Sequence, residues 1–457
     1  MKRSKLILTA AVVVGSMQLF TSCGEEFLEK EPIGALSEGI IANEAGVEKT
    51  LIGAYAALDG QGNGSALVGG GQWEAAPSNW IYGSVAGGEA HKGSSGSDQP
   101  AINAIANFIA DPSNGFFNTK WKAIYEGISR TNSTLRLLEQ AKDISDAKKQ
   151  RIAGEARFLR GHYYFELKKM FNKVPWIDET TTDFNQPNNQ DIWPKIEADL
   201  KFAMDNLPHT QAQVGRANKW AAASYLGKAY MYQHKYAEAK SVFDQVINEG
   251  VTSNGLKYGL VDRFKDNFDA GTENNKESVF AIQMVAYDGT GTISNANQGE
   301  MLNYPYNSPF RCCGFFQPTL DLANSYRTNS QGLPYLGSYN ATPLKHDQGI
   351  SSNDPFTPDT QPVDPRLDWT VGRRGVPFLD WGAHPGQAWI REQSTAGPYS
   401  SKKHIYWKAT ADKFSDQSSW APGSAINIVL IRYADVLLMA AEAEAQLGNL
   451  AQAQEYV

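Results

Sequence analysis

The stretch NKWAAASYLGKAYMYQHKYAEAKSVFDQVINEG, Asn218 to Gly250, restricts the fold more than any other part of the chain. Ala223, Leu226, Gly227 and Tyr230 recur at i, i+3, i+4 and i+7, the spacing of one face of an α-helix. After Gln233-His234-Lys235 the same rhythm returns at Ala239, Val242, Phe243 and Val246. The spacing predicts two helices joined by a tight turn, with Gly250 as the C-terminal stop. The small residues let the two helices approach closely, and the large ones fill the groove between them.

Leu226-Gly227 with Tyr230, followed by Ala239 and Phe243, fit the tetratricopeptide pattern at its signature offsets. A second unit is more interrupted. GEARFLRGHYYFELKKMF, Gly154 to Phe171, places Leu159, Tyr163, Leu167 and Met170 on one face and stops before Pro175. Its partner is DIWPKIEADLKFAMDNLP, Asp191 to Pro208, across a long connection from Asn172 to Gln190. A third unit, Arg432 to Val457, puts Ala441 and Ala453 at the small-residue positions. VEKTLIGAYAAL and WKAIYEGISRTNSTLRLLEQA read as further amphipathic helices. Three approximate matches favour a repeat scaffold over a generic bundle.

Between these helices the texture changes. Gly60 to Pro112 is rich in Gly, Ser and Asn, and Thr252 to Ser424 is full of Pro, Gly, Asn and aromatics. Both are too long for simple connections, and their aromatics argue against disorder. They read as ordered irregular structure with a few short strands, such as Val279–Val285. The fold class is therefore mainly α: tetratricopeptide-like helical pairs form a scaffold, at about 37–59, 115–250 and 425–457. It carries a large irregular, loop-rich half at about 60–114 and 251–424.

The first residues carry a different message. Met1-Lys2-Arg3-Ser4-Lys5 is basic, Leu6 to Phe20 is apolar, and Thr21-Ser22-Cys23 follows. That is the grammar of a secretory signal over 1–22. One reading is simple cleavage near Ser22. The favoured one is a lipoprotein whose Cys23 is acylated, because cysteine is otherwise almost absent; Phe20 stands where leucine is usual. Glu25, Glu26, Glu29 and Glu31 then form an acidic tether over 23–36. Loss of Lys2, Arg3 and Lys5 with the signal moves the formal charge from −7 to −10, which disfavours nucleic-acid binding. Cys312 and Cys313 read as two small thiols, since a ring closed between neighbours is strained.

Catalytic and metal-binding patterns are weak. The seven histidines form neither H-E-x-x-H nor a Cys/His cluster. Gly60 to Ser65 lacks the Lys-Ser/Thr of a P-loop. GSSGS, Gly93 to Ser97, is out of register for G-x-S-x-G. Asp354, Asp359 and Asp364 are too sparse for a calcium loop. No spacing singles out a pair of catalytic carboxylates among 49 acids. The sequence calls for no catalytic residue, no metal and no cofactor.

The tryptophans are more informative. Trp121, Trp176, Trp193 and Trp220 belong to the helical half and read as core. Trp73, Trp80 and Tyr82 lie in the glycine-rich loop. Trp369, Trp381, Trp389, Trp407 and Trp420 lie in the second irregular region, and NYPYNSPFRCCGFF adds Tyr304, Tyr306 and Phe310. Flat aromatics on loops suit the apolar faces of sugar rings, and neighbouring Asn, Asp, Gln and Arg suit the hydroxyls. The competing reading is that these aromatics pin long loops to the scaffold.

Several stretches together resemble the SusD/RagB family of outer-membrane nutrient-binding proteins: SCGEEFLEKEP, WKAIYEGISRTN, GEARFLRGHYYFELKKMFNKVP, DPRLDWTVGR and LIRYADVLLMAAEAEAQLG, in family order. The resemblance implies a single SusD-like domain over 37–457. It also implies a non-enzymatic function, capture of a glycan at the cell surface. The implied partners are a SusC-like TonB-dependent barrel and the outer membrane, reached through a lipid on Cys23. It points to Trp73, Trp80, Tyr82, Tyr304, Tyr306 and Trp381 as ligand-stacking residues. Family members continue beyond the YADVLLMAAEA helix, so it also implies a C-terminal truncation at Val457. The alternatives are a secreted carbohydrate-active enzyme and a tetratricopeptide-type protein-interaction scaffold.

Overall fold

The computed structural model describes residues 41–62 and 64–457. The expected signal sequence, Cys23 and the expected acidic tether lie outside the described residues. Nine helices carry the argument: α1 (Glu44–Ala56), α2 (Pro100–Ala106), α3 (Gly115–Gln140), α4 (Asp146–Phe171), α5 (Trp193–Asn206), α6 (Lys219–Met231), α7 (Tyr236–Glu249), α8 (Tyr433–Gln446) and α9 (Leu450–Tyr456). Asparagine starts three of them. Asn43, Asn114 and Asn218 accept hydrogen bonds from the backbone N–H of Gly46, Phe116 and Ala221, satisfying donors that the first turn leaves open. The helix read over Gly154–Phe171 begins earlier, at Asp146, and ends where Asn172 adopts a left-handed backbone with φ 61°.

From α3 onward each helix packs on the next, and α8 continues the stack on α7 although 184 positions separate Glu249 from Tyr433. The pair α6–α7 shows why small residues sit at the contact: a Cβ on Gly227 would lie 2.4 Å from the Phe243 ring. The core of the stack includes Phe158, Leu159, Leu200, Trp220, Leu226, Phe243 and Val436. Trp121, Trp176 and Trp193 pack against it from the side.

The eight strands β1 (Ala90–Gly93), β2 (Ser278–Ile282), β3 (Phe315–Pro318), β4 (Val371–Gly372), β5 (Ser400–Ser401), β6 (Ser415–Asp416), β7 (Gly423–Ser424) and β8 (Ile428–Arg432) form four antiparallel pairs, β1–β3, β2–β8, β4–β5 and β6–β7. The β2–β8 pair matters most for topology. It opposes Ser278 to Arg432 and Ile282 to Ile428, so the excursion between them leaves the scaffold and returns to it at one place. The strand expected at Val279–Val285 is β2, starting one residue earlier and ending three sooner.

The irregular half has cores of its own. One gathers Trp80, Ile81, Val85, Ile102, Ile105, Phe116, Leu302 and Phe315; another gathers Tyr304, Phe310, Phe378, Ile405, Tyr406 and Ile426. The side chains of the adjacent Cys312 and Cys313 lie against each other in this half. Left-handed backbone at Arg311 and Gly314 brackets the pair and folds the loop tightly around it.

Candidate functional site

Two loops cross beside β1–β3 and build one end of an exposed face. Gly93 pairs with Phe315, and its φ of 84° together with the 2.3 Å that would separate a Cβ from the Gly314 carbonyl oxygen requires glycine there. The loop after Gly93 is held from inside by Lys92. Its buried ammonium donates to the carbonyl oxygens of Gly93, Ser95 and Asp98 at 3.1, 2.7 and 2.6 Å. Burial lowers the Lys92 pKa, partly opposed by Asp98.

This brace presents Asp98 outward. Ser94 Oγ donates to Asp98 Oδ2 at 2.9 Å, and Arg391 Nη1 donates to the same oxygen at 2.8 Å and to Ser94 Oγ at 2.9 Å. The Arg391 guanidinium lies over the ring of Tyr306, 5.5 Å from its centroid. Tyr306 is 38% exposed. A ring face, a guanidinium with spare donors and a carboxylate therefore converge on solvent from three separate loops.

The other end of the face is the β6–β7 hairpin. Asp416 Oδ1 accepts from the Ser418 N–H and hydroxyl at 2.9 and 2.6 Å, which tightens the loop that carries Trp420, itself 50% exposed. Trp420 meets Trp73 edge to face, centroids 6.5 Å apart and planes at 88°. Arg311 Nη2 donates to Gln417 Oε1 at 2.7 Å, linking this hairpin to the Tyr306 loop. Tyr287, also exposed, accepts from the Gln417 N–H at 3.3 Å.

The six expected stacking residues divide. Trp73 and Tyr306 belong to this face. Trp80 and Tyr304 are buried at the centres of two loop cores and present no open ring. Trp80 Nε1 donates to the Gly299 carbonyl at 3.2 Å, and Tyr304 stacks on Phe310 with centroids 5.5 Å apart; both pin loops, the competing reading of the sequence. Trp381 packs on Phe310 at 4.7 Å and donates to the Tyr406 carbonyl at 2.9 Å. Tyr82 lines a separate cavity of about 530 Å³. Its hydroxyl is fixed on the carbonyls of Glu74 and Phe116 at 2.7 and 2.9 Å, and burial pushes its pKa up.

Arg391, Asp98, Arg311, Gln417, Tyr287 and Trp420 were not singled out from sequence. Only Trp420 carried a signal, as one of the loop tryptophans. Among the described residues no group of three or more His, Cys, Asp or Glu is placed to hold a metal ion, and no helix is long and apolar enough to cross a membrane.

The architecture defines a class: a stack of tetratricopeptide-like helical pairs bearing a large loop-rich half with an exposed aromatic face. Residues 276–457 match the model of the SusD family, and residues 26–231 match a second model described as "Starch-binding associating with outer membrane". SusD-like protein P25 of Formosa agariphila is 23% identical over 469 residues, covering 95% of this chain and 78% of that protein. SusD-like protein P2 of the same organism is 28% identical over 204 residues, 43% of this chain and 38% of P2; the chain thus spans less than half of that relative's length. Among solved structures, surface glycan-binding protein A of Bacteroides thetaiotaomicron, in complex with laminarihexaose, has a TM-score of 0.64 at 19% identity, covering 91% of this chain and 81% of its own. That likeness is one of fold. The two matches, over residues 26–231 and 276–457, make the chain similar to SusD-type proteins along most of its length.

Proposed function

We propose that the protein is a cell-surface glycan-binding lipoprotein, anchored in the outer membrane through Cys23, that captures an oligo- or polysaccharide and delivers it to a SusC-like TonB-dependent transporter. The observation that carries the reading is the exposed Tyr306 ring beside Arg391 and Asp98, tied through the Arg311–Gln417 bond to the hairpin that sets Trp420 against Trp73. Exposed rings offer apolar planes to pyranose faces. The guanidinium and carboxylate offer directional partners to hydroxyls. The laminarihexaose complex of a structural neighbour and the outer-membrane association in the description of the matching model support both the ligand class and the location. The acid of the face is engaged by Arg391 and Ser94, an arrangement suited to holding a hydroxyl and unlike a free pair of acid–base carboxylates.

Titration calorimetry against laminarin, starch and other polysaccharides tests the reading. At least one is expected to bind, and Tyr306→Ala and Trp420→Ala are each expected to weaken it about tenfold or more, as for central aromatic anchors, with the circular dichroism spectrum unchanged. Product release from the bound polysaccharide would instead favour the enzyme. Wild-type-like affinity in both variants would remove this face from the function.

A further inference from the structure

The cavity beside Tyr82 lies between the early irregular loop and the helical stack, and none of the Arg391, Asp98 or Tyr306 side chains lines it. Its walls are the rings of Tyr82, Phe108, Phe117 and Tyr232 with Ile105, and Lys169 and Asn79 supply polar groups. We propose that this cavity binds the acidic unit of a charged glycan, a pyranose ring bearing a carboxylate; the inference rests on the reading of the protein as glycan-binding.

Shape comes first. Tyr82 and Phe117 lie 6.1 Å apart with their planes at 33°, giving a nearly continuous aromatic wall. Phe108 stands at the rim, 80% exposed and held in a left-handed backbone with φ 54°. A large ring kept in water on strained backbone is costly unless something covers it. The volume of about 530 Å³ falls in the range of small-ligand sites.

Polar groups then select the ring. Asn79 Nδ2 donates to Glu166 Oε2 at 2.7 Å, but Asn79 Oδ1 is buried without a hydrogen-bond partner. Asn79 thus brings an amide whose oxygen is left without a protein partner beside the cavity wall. Tyr232 is about half exposed and brings a second hydroxyl.

Charge selects the acid. Lys169 Nζ contacts Glu166 Oε1 at 2.7 Å, and Glu74 acts on the Tyr82 ring of the wall. Lys120 and Lys228 act on the Glu166 carboxylate as well. Lys120 is tied to the Ala75 and Ala76 carbonyls at 3.3 and 2.8 Å. Burial pushes the Glu166 carboxyl up, but Lys169, His162 and Lys120 outweigh it and hold it well below the usual range. His162 adds no charge at neutral pH, since burial lowers it to about 4. Asp435 acts on Lys228 more weakly than Glu166 does. Lys169 is the cation that reaches the cavity, since its side chain is 27% exposed and lines it, and Lys120 stands 5.9 Å from the centroid of the Tyr82 ring that forms the wall. A carboxylate on the sugar would meet Lys169 with a charge-assisted bond.

Calorimetry of the whole chain with trigalacturonate, with maltotriose and laminaritriose as neutral probes, tests the assignment. Trigalacturonate is expected to bind, to weaken with added salt, and to weaken about tenfold or more in Lys169→Gln, the loss of one charged hydrogen bond. Phe108→Ala changes an exposed side chain, so the fold is retained, and it is expected to weaken the same ligand severalfold. Binding of neutral glycans without trigalacturonate, or trigalacturonate affinity unchanged in both variants, would overturn the cavity assignment alone. Failure of every neutral and acidic glycan would overturn the glycan-binding reading itself.

Discussion

Replacing Asp199 by alanine should unfold the helical stack at distinctly lower denaturant. Asp199 and Arg160 are both almost fully buried, 1% and 3% exposed. Arg160 Nε reaches Asp199 Oδ2 at 2.7 Å and its Nη2 reaches Oδ1 at 3.0 Å, a two-pronged pair joining α4 to α5. Arg157 Nε adds a third bond to Oδ1 at 2.7 Å. Losing one member of a buried pair costs about 3–5 kcal/mol, because the remaining charge stays desolvated. Here Arg160 keeps two partners, Asn132 Oδ1 at 3.0 Å and the carboxylate of Glu179, so the lower end, about 3 kcal/mol, is expected. Arg157 is partly exposed, 27% at its side chain, and Arg157→Ala should cost under about 1 kcal/mol. Urea unfolding followed by far-ultraviolet circular dichroism measures both, read as a lower midpoint at constant slope. Equal and small losses in Asp199→Ala and Arg157→Ala would refute the claim that the buried fork, rather than apolar packing alone, fixes α4 against α5.

Two further outcomes follow from the same structure. Burial raises the Glu273 carboxyl from 4.5 to about 8 and Asp59 from 3.8 to about 7, so the folded chain holds these protons where the unfolded chain has lost them. Their contribution is complete below about pH 4 and is lost as pH rises through 7 and 8; the fall in Tm between about pH 5 and pH 8 should be shallower in Glu273→Gln, and an unchanged slope would count against the assignment. Gly227→Ala places a Cβ 2.4 Å from Phe243 and should cost about 1–3 kcal/mol by overpacking, more than the roughly 1 kcal/mol that alanine gains in a helix; a raised Tm would show that the α6–α7 contact can relax.

The scaffold was legible because its signal is local. Leu226, Gly227, Ala239 and Phe243 meet within one helical hairpin, so their spacing alone carries the contact. The loop half obeys no such rule. Trp73 and Trp80 are seven residues apart in one glycine-rich segment, yet one reaches the surface beside Trp420 and the other is buried against Phe315, with ring centroids 6.2 Å apart. Between them the 3-10 turn at Gln72–Ala75 ends and Asn79 takes a left-handed backbone with φ 54°, and nothing in the composition announces that change of direction. Arg391 and Asp98 are 293 positions apart. Their pairing depends on β1–β3 crossing at Gly93, a register that alternation over four residues cannot specify.

The same topology explains why long irregular segments suit the ligand face proposed for this protein. A loop that must bind cannot bury its own aromatic faces, so something else must offset the entropy of ordering it. Buried polar braces serve that purpose: Lys92 gathers three carbonyls under the Asp98 turn, and Arg374 gathers those of Ser351, Ser352 and Asp354. Each replaces several backbone–water hydrogen bonds with fixed internal ones. Trp80, Tyr304 and Phe310 then hold the loops from beneath. Tyr306 and Trp420 are thereby left exposed at the surface, touched there by Arg391 and Trp73, and both can be exchanged without disturbing the frame beneath them.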